Sequence, residues 1–190
     1  MGAHSTDAVS RRGRFSATAP AGTDHIPRYQ LDVVGVDAAD VVGSAGGWLF
    51  DRVMAGWDVQ VTLTRDCDLR PLRILGVRTG PRAAQAPVPV ALAASAQALH
   101  DAPTLCGDIA ATLRRGQAEV TVWGATRLAA LESVARPVLP VQHVLSAAAR
   151  AFKLQALDAA GVGGAGSATV ETFRTGNRAL LLVPPDLSPL

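Results

Sequence analysis

Two glycine clusters in this chain have the spacing of phosphate-cradling turns. Gly161, Gly163 and Gly166 fit the letters of a GxGxxG dinucleotide turn. Such a turn needs a strand before it and a helix after it, so that the helix N–H groups face the pyrophosphate. Here a helical pattern precedes and a β-branched run follows, so the dipole would point the wrong way and a flexible connector is expected. Gly43, Gly46 and Gly47 do follow a strand, but Gly46 and Gly47 lie about two turns into a helix. The strand–helix turn itself, VGVDAAD, has Gly35 and lacks lysine, and no GxxxxGK[ST] occurs in the chain. Gly46 and Gly47 therefore read as a helix surface kept low, so that the helix can lie close to the sheet.

The nucleophiles and bases are scattered. His143 and Ser146 fall one turn apart, but no GxSxG elbow supplies the rest of a serine hydrolase, and His143 is expected to be an exposed first-turn residue. Asp101, next to His100, reads as a helix cap. Cys106 sits near a helix start and reads as a small buried hydrophobe. Cys67 lies between Asp66 and Asp68, whose charge opposes thiolate formation. Those two, with Asp51 and Asp58, suggest an acidic rim without the spacing of a metal loop, so no metal site is expected. Trp57 and Trp123 flank the two best strands, and with Trp48 they are the candidates for an interface or a pocket lining.

The elements that must position these residues follow from periodicity. QLDVVGV reads as a strand over 30–36. A helix over 38–55 is marked by Val42, Ala45, Leu49 and Val53, with Asp37 as its N-cap. Val59, Val61 and Leu63 alternate with polar residues in the next strand. Strand, helix, strand in this order is a βαβ unit, which calls for parallel strands and a right-handed crossover. LRILGV and VPVALA read as further short strands, followed by helices at 93–100 and 102–115 and a strand over AEVTVWG. A short helix over 127–134 and a long one over 141–160 come next. The long helix has Leu145, Ala149, Phe152 and Ala156 inward. TVETF and RALLLV read as a final hairpin turning at Thr175–Gly176–Asn177.

The chain has 190 residues, enough for one domain with a real core. It is 48% hydrophobic with only 4% aromatic residues, and its one lysine, Lys153, stands among many arginines. The net charge of +2 is too small to argue for nucleic acid, and the only basic cluster is Arg11, Arg12 and Arg14. Residues 1–28 read as a polar N-terminal tail, 29–184 as the domain and 185–190 as a C-terminal tail. Two cysteines, no leader-like apolar run and no membrane-length span point to a reduced, cytoplasmic setting without a membrane.

The fold expected is a single α/β domain, with a mixed, mostly parallel sheet, flanking helices and a Rossmann-like order. The phrases AGGWLFDRVMAGWDV, RPLRILG, EVTVWG and LSAAARAFKLQAL resemble a small actinobacterial protein family with no established activity. The resemblance covers most of residues 30–160. It implies an intact bacterial domain and transfers no catalytic residue. Two functions from different classes remain. One is a non-catalytic binding or regulatory module acting by protein–protein contact, with a protein partner or a homodimer and no cofactor. The other is a Rossmann-like enzyme binding a nucleotide or phosphate ligand beyond the carboxyl ends of the strands, through Gly35, Asp37, Thr64, Gly76 and Gly124.

Overall fold

Short apolar runs, several of them followed by a helix, stack into a sheet between helices. The computed structural model describes residues 29–80, 89–116, 118–125, 139–163, 168–176 and 187–190. β1 (Gln30–Gly35), β2 (Asp58–Leu63), β3 (Arg78–Thr79), β4 (Ala91–Ser95), β5 (Glu119–Trp123), β6 (Leu139–Val144), β7 (Val170–Gly176) and β8 (Ser188–Pro189) form one sheet, in the order β3-β2-β1-β4-β5-β7-β6-β8. The first five of that order are parallel, and β7, β6 and β8 add antiparallel pairs. The mixed, mostly parallel α/β domain is therefore as expected. The order reverses between β1 and β4, the place where doubly wound sheets open a crevice.

The sheet is covered on both sides. Leu31, Val33, Ala91, Ala93 and Trp123 face α1 (Ala38–Met54), α2 (Arg70–Ile74) and α5 (Ala147–Ala159). Ala94, Val120 and Val122 face α4 (Pro103–Arg115), which buries Cys106, Ile109, Ala110 and Leu113. α3 (Ala96–Asp101) adds Leu99 to that second core. Alternation along β1 and β4 sends successive side chains to the two cores. None of the described helices is long and apolar enough to cross a membrane.

α1 starts as its sequence says. Asp37 accepts the N–H of Asp40 at 2.9 Å, satisfying one of the helix's free first-turn donors. α4 ends on Gly116 at φ +61°, a left-handed closure that glycine adopts without a Cβ clash. Its N-cap is Ala102, however, and not Asp101. Asp101 ends α3 instead and accepts from Gln97 at 2.8 Å.

Four other elements differ from their sequence reading. RPLRI forms α2 and not a strand, because Pro71 opens the helix and Leu72 and Leu75 recur at helical spacing into the core. The chain from 141 is first a strand, β6, and the helix begins only after its Ser146 cap. Val141 and His143 alternate inward there, a period of two concealed by the apolar helix behind it. Thr175 and Gly176 are no turn; they continue β7 beside Thr121 and Val120 of β5. Gly176 is required there, since a Cβ would sit 2.9 Å from Leu113 Cδ1. Ser188 and Pro189, read as tail, pair with β6. The helix over 127–134, the connector glycine Gly166, Arg11, Arg12 and Arg14, and RALLLV lie outside the described residues.

Candidate functional site

The carboxyl ends of β1 and β2 leave a cleft of about 280 Å3. Asp37, Ala38 and Ala39 line it from the start of α1, Arg65, Asp66, Cys67 and Asp68 from the loop after β2, and Pro71 from the first turn of α2. Ala159 and Ala160, at the end of α5, close its side. The β1–α1 turn that forms one wall is tight, because a Cβ on Gly35 would lie 2.1 Å from Val41 Cγ2. Asp40 binds this turn from both sides. Its carboxylate accepts from Val36 N–H at 3.0 Å and from Trp123 Nε1–H, at the end of β5, at 3.1 Å. The N-terminal end of α1, the positive end of the helix dipole, borders the cleft at Asp37, Ala38 and Ala39, and the Asp40 and Val41 amides there are already engaged by Asp37. Ala38 N–H donates to Cys67 Sγ at 3.3 Å, and the half-buried thiol thereby joins the second loop to the helix start. On the rim, Asp68 accepts from Arg70 N–H at 2.9 Å, and Arg65 lies 3.9 Å from Asp101.

The structure gathers four of the five residues assigned to a ligand site at this edge. Gly35 and Asp37 form the β1 turn, and Thr64 N–H donates to Gly35 O at 3.0 Å. Gly124 follows β5 at φ +96° against Ala96. Gly76 lies apart. It precedes β3, at the opposite end of the sheet, beside Val53 near the end of α1.

The tryptophans fall elsewhere. Trp48 and Trp123 are each 1% exposed in the core, and Trp48 packs on Phe173 with ring centroids 5.1 Å apart. Trp57 is half-buried beneath the Arg52 guanidinium, 4.1 Å from the ring centroid, and against Tyr29.

Two polar clusters lie farther along α1, the first partly buried and the second sealed. His143 is buried and not exposed; its Nε2 is 2.8 Å from Asp51 Oδ2. Ser146 Oγ donates to Asp51 Oδ1 at 2.6 Å and accepts from Ala149 N–H at 3.0 Å. Asp51 thus stands between serine and histidine, so Ser146 does not hand its proton to His143, and the set works as a helix cap. The second cluster joins Glu171, Lys153 and the midpoint of α1. Glu171 accepts from Gly47 N–H at 2.9 Å and Trp48 N–H at 2.8 Å, and Lys153 Nζ donates to Glu171 at 2.5 Å and to Gly43 O at 2.8 Å. Sequence reasoning missed this pair. The signal was there: the chain's single lysine stands four residues after Ala149, on the inward face.

Among the described residues, no three His, Cys, Asp or Glu side chains converge as metal donors. Burial pushes the Cys106 thiol above its ordinary range, in keeping with a packing residue and not a nucleophile.

No protein-family model matches the chain, and neither does any curated protein sequence. Solved structures do match. The A40926 pseudoaglycone deacetylase Dbv21 is 18% identical, with 78% of this chain and 97% of that one covered and a TM-score of 0.52. A deacetylase triple mutant from the teicoplanin biosynthetic pathway is 15% identical, covers 79% and 99%, and has a TM-score of 0.47. The teicoplanin-bound deacetylase is 15% identical, covers 77% and 97%, and has a TM-score of 0.49. The expectation of a non-catalytic module acting by protein–protein contact is corrected by the likeness to Dbv21. The chain is built on a fold that Dbv21 uses as an enzyme, and two of the tryptophans offered as an interface or pocket lining, Trp48 and Trp123, are core residues, with Trp123 reaching the cleft wall through its bond to Asp40.

Proposed function

We propose that this protein is a deacylase that removes a short acyl group from an amide or ester of a small polar substrate. The reading rests on one observation. The cleft at the carboxyl ends of β1 and β2 joins the positive end of α1 to exposed carboxylates, in a sheet shared with a deacetylase. The transfer from that deacetylase is an analogy of fold, and the chemistry has to come from these side chains.

Hydrolysis needs a base for water and donors for the oxyanion. Asp37 and Asp40 have carboxylate oxygens engaged by Asp40, Val36 and Trp123, which makes them builders of the wall. Asp66 is exposed on the cleft rim and is the base assigned. It takes a proton as the water oxygen attacks the acyl carbon. The first-turn amide of Ala39 faces the charge that develops on the carbonyl oxygen. Collapse breaks the bond to the leaving amine or alcohol, which leaves with the proton. The free thiols of Cys67 and Cys106 support a reducing, cytoplasmic setting for this enzyme.

The test is release of acetate from p-nitrophenyl acetate and from N-acetylated amino sugars. Asp66→Asn should lower kcat by on the order of 100-fold, the usual contribution of a positioned base. Absence of turnover on every ester and amide offered, or full activity in Asp66→Asn, rejects the assignment.

A further inference from the structure

Helix α1 forms a wall of the cleft with its first turn, yet its charged anchorage lies at its middle. Gly47 and Trp48 are interior residues of the helix, and their N–H groups nevertheless donate to a carboxylate from β7. The carbonyl of Gly43, four residues before Gly47 and so its helical partner position, accepts from Lys153 of α5. A buried ion pair is thus spliced into the hydrogen-bond ladder of α1, the kind of insertion that sets where a helix bends or pivots. The two glycines beside it make room for neighbouring leucines. A Cβ on Gly47 would lie 2.5 Å from Leu145 Cδ2, and one on Gly46 would lie 3.3 Å from Leu75 Cδ1.

The pair is sealed, with the Lys153 and Glu171 side chains 6% and 2% exposed. Two buried charges cost several kcal/mol each in desolvation, so apolar packing would be the cheaper way to join α1 to β7. Charges add direction. They hold the α1 backbone at one place along its length and at one rotation, which apolar contacts between small residues do not do. From that fixed point the helix reaches the cleft through about two turns. Ala38 meets Cys67 there and Asp40 meets Trp123.

We infer that Lys153 and Glu171 are positioning residues, which set the seat of α1 and thereby the geometry of the cleft at its N-terminus. The link to catalysis rests on the deacylase reading above; the link to cleft geometry does not.

Cys67 is the reporter, because its thiol rests on Ala38 N–H. In a Cys106→Ala background, the rate of Cys67 modification by dithionitrobenzoate is measured well below the unfolding transition. The variant carries Lys153→Met with Glu171→Gln, which removes both charges while the glutamine oxygen can still accept from one of the two α1 amides. Leu113→Ala, on the other side of the sheet, is the control for lost stability. The Cys67 rate should change by about fivefold or more in the double variant and by less than about twofold in the control, since thiol reactivity follows its local environment and access. Amide exchange at Ala38–Asp40 should change with it. Equal Cys67 rates in parent and double variant, or equal changes in double variant and control, overturn the inference. Turnover of p-nitrophenyl acetate is read in parallel, with kcat expected to fall more than KM rises. A parent with no turnover removes the deacylase reading and leaves the thiol result to decide the positioning role.

Discussion

The two faces of the sheet are held by different physics. Under α1 and α5 an apolar core is joined by polar groups that engage the α1 backbone and its Asp51: buried Glu171 and Lys153 at the midpoint, and buried His143 with exposed Ser146 near the end. Under α4 the contacts are apolar, with Cys106, Ile109, Ala110 and Leu113 on Ala94, Val120 and Val122. The α4 face supplies burial without direction, while the α1 face adds direction to its own apolar core at a desolvation cost. The candidate cleft is built on the directed face, as preorganised chemistry requires.

The sharpest way to break this comparison is Lys153→Met. It leaves the Glu171 carboxylate buried without its counter-ion, and urea unfolding should show a loss of about 3–5 kcal/mol. A loss below about 1 kcal/mol would mean that water reaches the pair and that the two faces do not differ in kind. Leu113→Ala should cost about 3 kcal/mol through a cavity in the second core. Its effect on Cys67 reactivity should be slight, and a large one would join the faces into one unit.

Gly47→Ala should cost about 1–3 kcal/mol, because its Cβ meets Leu145, which must move. Unchanged stability there would show that Leu145 is loosely packed. Asp37→Ala removes the α1 cap and should cost about 1 kcal/mol by thermal unfolding.

The smallest effect belongs to Cys106. Its folded-state thiol is raised by burial, so the unfolded chain releases the proton first as pH rises. Its contribution is full below the ordinary thiol range near about 8.5 and declines as pH climbs through and above it. Cys106→Ala should flatten that part of the stability–pH curve; an identical slope in the variant would assign the decline to other groups.

Much of the fold was legible in local pattern. Asp37 and Val42, Ala45 and Leu49 announced α1, and alternation over Val59–Leu63 announced β2, because a cap and a period are properties of neighbouring residues. β6 was hidden because LPVQHV runs straight into helix-like residues and only its partner strand reveals its period. RPLRI was misread because five residues are too few to separate a helical from a strand pattern. Of the site, the turn at Gly35 and Asp37 was readable from the strand-to-helix step. Cys67, which comes to Ala38 across 29 positions, was not.

Gly46 and Gly47 show where sequence stops. The letters alone established a helix carrying two glycines too deep to form a phosphate turn, and so a close approach of some kind. They also established a βαβ order, and with it parallel strands and a crevice at their carboxyl ends. What approaches the glycines was settled by tertiary structure: Leu145, with the Glu171–Lys153 pair entering the helix from residues more than a hundred positions away. Hydrogen-bond and steric partners of that separation leave no local periodicity. They are selected only when the sheet and its helices close on one another.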